Sequence, residues 1–131
     1  MKPYRFSVTA RLRGFLHAFR GLKWLVKEEH NAWIHLAVTA VLVPVCFWLH
    51  LNTIEWILII LCIGLVLSME LINSAIERLS DRIDTGPDKL IGQAKDMAAG
   101  AVLVSAIAAA IIGLIILVPK ILNCPWLQPR G

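Results

Sequence analysis

Three long apolar runs, separated by short polar stretches, dominate the pattern along this chain. From about residue 33 to 51 there is no acid, lysine or arginine. From about 54 to 79 a largely apolar block, Trp56 to Met69, leads into Glu70. From about 97 to 118 no residue is charged. Each run is close to the roughly 20 residues that a helix needs to cross a bilayer. Backbone groups in lipid must be bonded within the segment, so each run is predicted to be a helix. No alternation of period two suggests a barrel strand. Pro44 lies inside the first run and is expected to kink it, whereas Pro119 is expected to end the third. Ahead of these runs, Ser7 is a plausible helix cap. After it, Leu12, Phe15, Phe19, Leu22 and Val26 recur at spacings of three and four. That periodicity predicts an amphipathic surface helix over about 7–27. Asn52-Thr53-Ile54-Glu55, with its acid three residues after Asn52, reads as a helix start.

Composition places these elements in a membrane. Of the 131 residues, 58% are hydrophobic and only 17% charged, against roughly 25% charged in an ordinary soluble domain. A soluble globule, a disordered tail and a secreted disulfide scaffold are excluded. Cys46, Cys62 and Cys124 lack metal-ligand spacing, and Cys46 and Cys62, which lie in apolar runs, read as small core residues. The expected fold is all-α and integral to the membrane: three transmembrane helices plus the surface helix, in a single domain over residues 1–131. Charge gives the orientation. Residues 1–27 hold seven bases and no acid, the turn from His50 to Glu55 holds none, the next connection four and the tail two. By the positive-inside rule the N-terminus and second connection face the cytoplasm. Trp33, Trp48, Trp56 and Trp126 fall near the expected interfaces.

Against this background the acids stand out. Glu70, Asn73 and Glu77 fall at i, i+3 and i+7, on one face of the second span. Ser74 flanks that face, and Ser80 and Asp81 extend it. Lys95 and Asp96 open the third span, and Glu28 and Glu29 lie where the surface helix meets the first. All belong to the same cytoplasmic interface. Ionisable residues at membrane depth are functional candidates, and carboxylates beside lysine suit a divalent cation and a polyanion. Mg²⁺ favours a few carboxylates with phosphate oxygens and water. Phosphoryl transfer needs charge neutralisation and often a carboxylate base. Two other readings stand beside this one: interhelical hydrogen-bond glue in a non-enzymatic assembly protein, and a small ion or proton transporter. Phosphate-cradling glycine loops of soluble kinases are absent, so a kinase site here would be built on helices.

Glu70-Leu-Ile-Asn-Ser-Ala-Ile-Glu77, then Asp81, then Ala94-Lys-Asp-Met-Ala-Ala-Gly-Ala-Val-Leu103 resemble the signature of the prokaryotic diacylglycerol kinase family of small membrane lipid kinases. The resemblance extends over about residues 11–118. It implies ATP as co-substrate, Mg²⁺ as cofactor, a membrane lipid alcohol as phosphoryl acceptor, and no nucleic-acid partner. Glu70 matches the family's proposed general base on the lipid hydroxyl, and Asn73 a residue that holds the reacting groups. Glu29 and Glu77 match the pair that binds the divalent ions accompanying ATP. Lys95 and Asp96 match nucleotide contacts. Arg11 is the candidate for a basic residue that touches nucleotide and lipid, with Arg13 two residues away. His17 stands at a nucleotide contact where some relatives carry an aromatic. The family implies a homotrimer with active sites shared between subunits, in the bacterial cytoplasmic (inner) membrane, with the site facing the cytoplasm.

Two branches differ in their lipid. Glu28-Glu-His-Asn-Ala-Trp-Ile-His35 and Gly113-Leu-Ile-Ile-Leu-Val-Pro-Lys120 look more like the undecaprenol kinase branch, and Ser80-Asp-Arg-Ile83 more like the diacylglycerol branch. The expectation leans to undecaprenol, with diacylglycerol, yielding phosphatidic acid, as the alternative. His30 and His35 are five apart, do not share a helix face, and are expected to make interfacial hydrogen bonds.

Overall fold

A computed structural model describes residues 7–83 and 88–124. Lys2, Arg5, Trp126 and Arg130 lie outside the described residues. Four helices follow in order: α1 (Val8–Glu28), α2 (His30–Trp48), α3 (Thr53–Ile83) and α4 (Lys89–Leu122). The described residues contain no strand. The last three helices are long and apolar enough to cross a membrane, and their outward surfaces carry exposed Ile, Leu, Val and Trp. In a soluble protein such surfaces would be hidden; in lipid they meet a solvent as apolar as themselves.

The helix ends follow local chemistry. Ser7 caps α1, its hydroxyl accepting from the Ala10 amide at 3.4 Å. α1 stops at Glu29, whose extended backbone (φ −102°, ψ 106°) starts α2 without a side-chain cap. The outer turn is closed by a Schellman motif. The Leu51 amide donates to the Cys46 carbonyl (3.3 Å) and the His50 amide to the Phe47 carbonyl (3.1 Å). This pairing requires a left-handed residue between them. His50 takes that place with φ 50°. Its Nδ1 lies 3.0 Å from the Phe47 carbonyl, a local bond that holds this conformation in a residue other than glycine. The first apolar run therefore ends its helix at Trp48, short of Leu51.

At the start of α3 the Asn52 and Glu55 side chains cap each other's amides. The Asn52 amide donates to Glu55 Oε2 (2.7 Å) and the Glu55 amide to Asn52 Oδ1 (3.0 Å). α4 begins at Lys89, behind the Asp88 cap, whose carboxylate accepts from the Leu90 and Ile91 amides. Lys95 and Asp96 thus sit well inside α4 rather than at its opening, because the helix begins two turns ahead of its apolar run. Pro119 does not end α4, contrary to the expectation from sequence. Proline removes a bond to the preceding turn, but its own carbonyl still accepts. The Asn123 amide donates to it at 3.1 Å and one more turn forms. Pro44 likewise lies within an uninterrupted α2.

Packing is densest between α3 and α4, sparser between α2 and α3, and lightest for α1 against α2 and α3. Near the outer end, Cys46, Leu51, Ile59 and Ile116 form a buried cluster, beside which the Phe47 and Trp56 rings pack at 4.6 Å. The Glu55–Lys120 ion pair (3.0 Å) ties the first turn of α3 to the last of α4. Between α2, α3 and α4 runs an open, mostly apolar cavity of about 460 Å³.

Candidate active site on the acidic face of the third helix

Glu70 is 2% exposed, one of the most deeply buried side chains in the molecule. Among the described residues it has no ion-pair partner. The charges that reach it are those of His35 from α2, Glu29 from the α1–α2 junction and Glu77 two turns further along α3. Isolating a carboxylate in this way opposes the rule that buried charges are paired. One turn along, Ser74 is buried and its hydroxyl has no hydrogen-bond partner among the described residues. Asn73, on the same stretch, is half-buried. The face at i, i+3 and i+7 predicted from spacing thus runs from buried Glu70 through half-buried Asn73 to exposed Glu77.

Arg78 organises that junction. Its Nη2 bonds Glu28 Oε2 at 3.0 Å, and its Nε and Nη2 reach Glu29 Oε1 at 3.2 and 3.1 Å. The guanidinium also lies 5.8 Å from the centre of the Trp24 ring, a cation–π distance. Trp33 locks the turn from the other side, its indole N–H donating to the Val26 carbonyl at 2.6 Å. His30 stacks near Trp33 at 6.3 Å. The spacing of residues alone gave no sign of the role of Arg78: it lies on the solvent side of α3 and pairs with acids about fifty residues earlier. A cation one position after the acidic face was the available signal.

Lys95 bonds Asp81 at 2.8 Å, joining α4 to the end of α3, and Glu77 lies within its electrostatic reach. Asp96 is exposed on the next position of α4. Arg11, Arg13 and His17 lie on the exposed length of α1. Glu70 is therefore within electrostatic reach of Glu29 and Glu77, with His35 as an unforeseen neighbour, and Lys95 is within reach of Glu77.

Among the described residues no three His, Cys, Asp or Glu side chains form a closed metal cage. The arrangement still fits a Mg²⁺–phosphate pair, which needs only one or two carboxylates. Both bonds from Arg78 end on Oε1 of Glu29, which leaves Oε2 for a cation, and Glu77 is exposed. The apolar cavity reaches this region through His35 and Thr39 on α2 and Val66 and Leu67 on α3. The latter two are one turn from Glu70. A buried carboxylate thus stands one turn from the lining of an apolar slot, within electrostatic reach of two further acids.

Comparison with known proteins gives this arrangement its context. Residues 16–117 match the model of prokaryotic diacylglycerol kinase. The chain is similar to an undecaprenol kinase of Bacillus subtilis, 39% identical over 120 residues that cover 92% of this chain and 98% of the relative. It is also similar to diacylglycerol kinases of Haemophilus influenzae (36% identical, covering 83% and 90%) and of Escherichia coli K12 (36% identical, covering 79% and 91%). With an all-helical fold, three apolar helices of membrane-spanning length and the acidic face of α3 in place, the chain belongs to the prokaryotic diacylglycerol kinase family of membrane lipid kinases.

Proposed function

We propose that this lipid kinase transfers the γ-phosphoryl group of MgATP to the hydroxyl of undecaprenol, with Glu70 as the general base. The observation that carries this reading is the place of Glu70: buried, without an ion-pair partner, and one turn from the inner end of the apolar cavity. A long hydrocarbon alcohol lying along that cavity would present its hydroxyl to the carboxylate, while phosphates approach from the aqueous side. The base takes the hydroxyl proton as the oxygen attacks phosphorus, and ADP leaves. Most of the acceleration in such chemistry comes from positioning and charge neutralisation.

The remaining residues divide that work. Asn73, one turn from Glu70, would hold the reacting groups by hydrogen bonding. Glu29 and Glu77 would hold Mg²⁺ with the phosphates, the ion screening charge repulsion between nucleotide and base. Lys95 offers a point charge to phosphate, with Asp96 beside it for a nucleotide contact. Arg11 and His17 on α1 would reach the nucleotide from the membrane surface. The bases concentrated in residues 1–27 and 78–95 support a cytoplasmic site in a bacterial inner membrane, where ATP is available. A homotrimer with sites shared between neighbours fits helices that expose so much of their surface.

Undecaprenol is favoured over diacylglycerol by the stretches Glu28–His35 and Gly113–Lys120, and by the high coverage of the B. subtilis relative named for that substrate. The test is transfer of labelled γ-phosphate from MgATP, in mixed micelles, to each lipid separately. Preferential labelling of undecaprenol is expected. Preferential labelling of diacylglycerol would reassign the branch, and labelling of neither would overturn the proposal.

A further inference from the structure

α1 carries a second feature, separate from the acidic face of α3. Arg20, Lys23, Trp24 and Lys27 line an open pocket of about 270 Å³. Their spacing of three, one and three places all four on one side of the helix. None of the three bases pairs with a carboxylate among the described residues, although Glu28 is adjacent in sequence. Glu28 is drawn away by Arg78. Three cations around one concavity repel one another, so the pocket is complementary to an anion. Trp24 forms its apolar wall, half-exposed, with Arg78 set over the same ring system. Exposed Phe15, Phe19, Leu22 and Val26 continue along the helix and would seat it among acyl chains, with the pocket at headgroup depth.

We propose that this pocket is a binding site for the phosphate headgroup of an anionic phospholipid in the leaflet on which α1 lies. The bases hold the phosphodiester oxygens and the indole packs against the glycerol and upper chain, in keeping with the preference of tryptophan for the interface. Free phosphate and nucleotide share the phosphate chemistry but lack the chain that the apolar neighbours of the pocket would take. The site does not depend on which lipid alcohol the enzyme phosphorylates, nor on the assignment of Glu70.

The test uses the full protein in phosphatidylcholine vesicles with spin-labelled phosphatidylglycerol or spin-labelled phosphatidylcholine, reading the motionally restricted fraction of each. The native protein is expected to prefer phosphatidylglycerol. Arg20→Gln/Lys23→Gln/Lys27→Gln is expected to lower that preference by at least about fivefold, the effect of a single base near an anionic surface. Arg20→Lys/Lys23→Arg/Lys27→Arg keeps the charge and should keep the preference, and Lys23→Gln alone provides a milder variant if the triple one does not fold. An unchanged preference in the folded glutamine variants would overturn the proposal. So would an equal loss in Arg82→Gln/Lys89→Gln, which would mean diffuse charge and no pocket. Release of the spin-labelled lipid by MgATP would assign the pocket to the nucleotide and also overturn it.

Discussion

The two ends of the helical bundle use the same residue types to opposite effect. At the outer end Glu55 is fully engaged: it caps α3 by accepting from the Asn52 amide and pairs with Lys120 of α4. Cys46, Ile59 and Ile116 form a buried cluster at the same end. At the inner end Glu70 is more deeply buried, yet it has no ion-pair partner among the described residues, and the hydroxyl of Ser74 one turn along is likewise unpartnered. Polar groups that satisfy one another hold a structure together and have no capacity left for a ligand. Buried groups left unsatisfied cost stability, and on the proposed function that cost is retained because the substrate would complete the set. The difference separates scaffold from site more sharply than burial or charge alone.

Substitutions at the two ends should therefore separate activity from stability. The largest effect is expected at Glu70→Gln, which keeps volume and removes the base. Phosphoryl transfer should fall by about 10²- to 10⁴-fold while circular dichroism and oligomer size stay the same. A near-normal rate would move the base elsewhere. Glu29→Gln and Glu77→Gln come next. Each should raise the MgATP concentration for half-maximal rate by about ten- to a hundredfold, as expected for loss of one ionic contact. A Mg²⁺ titration that coincides with the native one would remove both as cation ligands.

At the outer end the order reverses. Glu55→Ala takes away the Glu55 half of the reciprocal cap and the ion pair together, so the thermal unfolding midpoint should drop while the rate per folded molecule is retained. Lys120→Met should lower it less, because the cap survives. Loss of turnover in either folded variant would erase the contrast between the ends. The smallest effect is expected at His50. Glycine suits the left-handed turn, and His50→Gly should alter stability by less than about 1 kcal/mol. His50→Val, whose branched side chain resists positive φ, should cost about 1–2 kcal/mol. Equal midpoints for the two would indicate that the turn rearranges.

Much of this contrast can be read in the sequence, for identifiable reasons. Asn52 and Glu55 are three residues apart, and a capping box depends on nothing more distant. Glu70, Asn73 and Glu77 share a face through helical periodicity alone. Pro119 was misread because proline's effect on the turn before it was taken as an effect on the turn after. The sequence does not bring His35 towards Glu70, because that relation depends on how α2 crosses α3, and no local pattern encodes the crossing.

By itself the sequence determined that three segments are helices able to span a membrane, which acids are out of place there, and the family to which the chain belongs. Apolar length, helical period and motif are properties of neighbouring residues, and short-range physics suffices to interpret them. Tertiary structure alone decided that Arg78 gathers Glu28 and Glu29, that Glu55 meets Lys120, that Lys95 meets Asp81, and that Glu70 is buried one turn from the lining of an apolar cavity. These pairs are separated by between 14 and 65 positions along the chain. They form only when whole helices pack, and the geometry of that packing is set by the sum of many weak side-chain contacts rather than by any one of them.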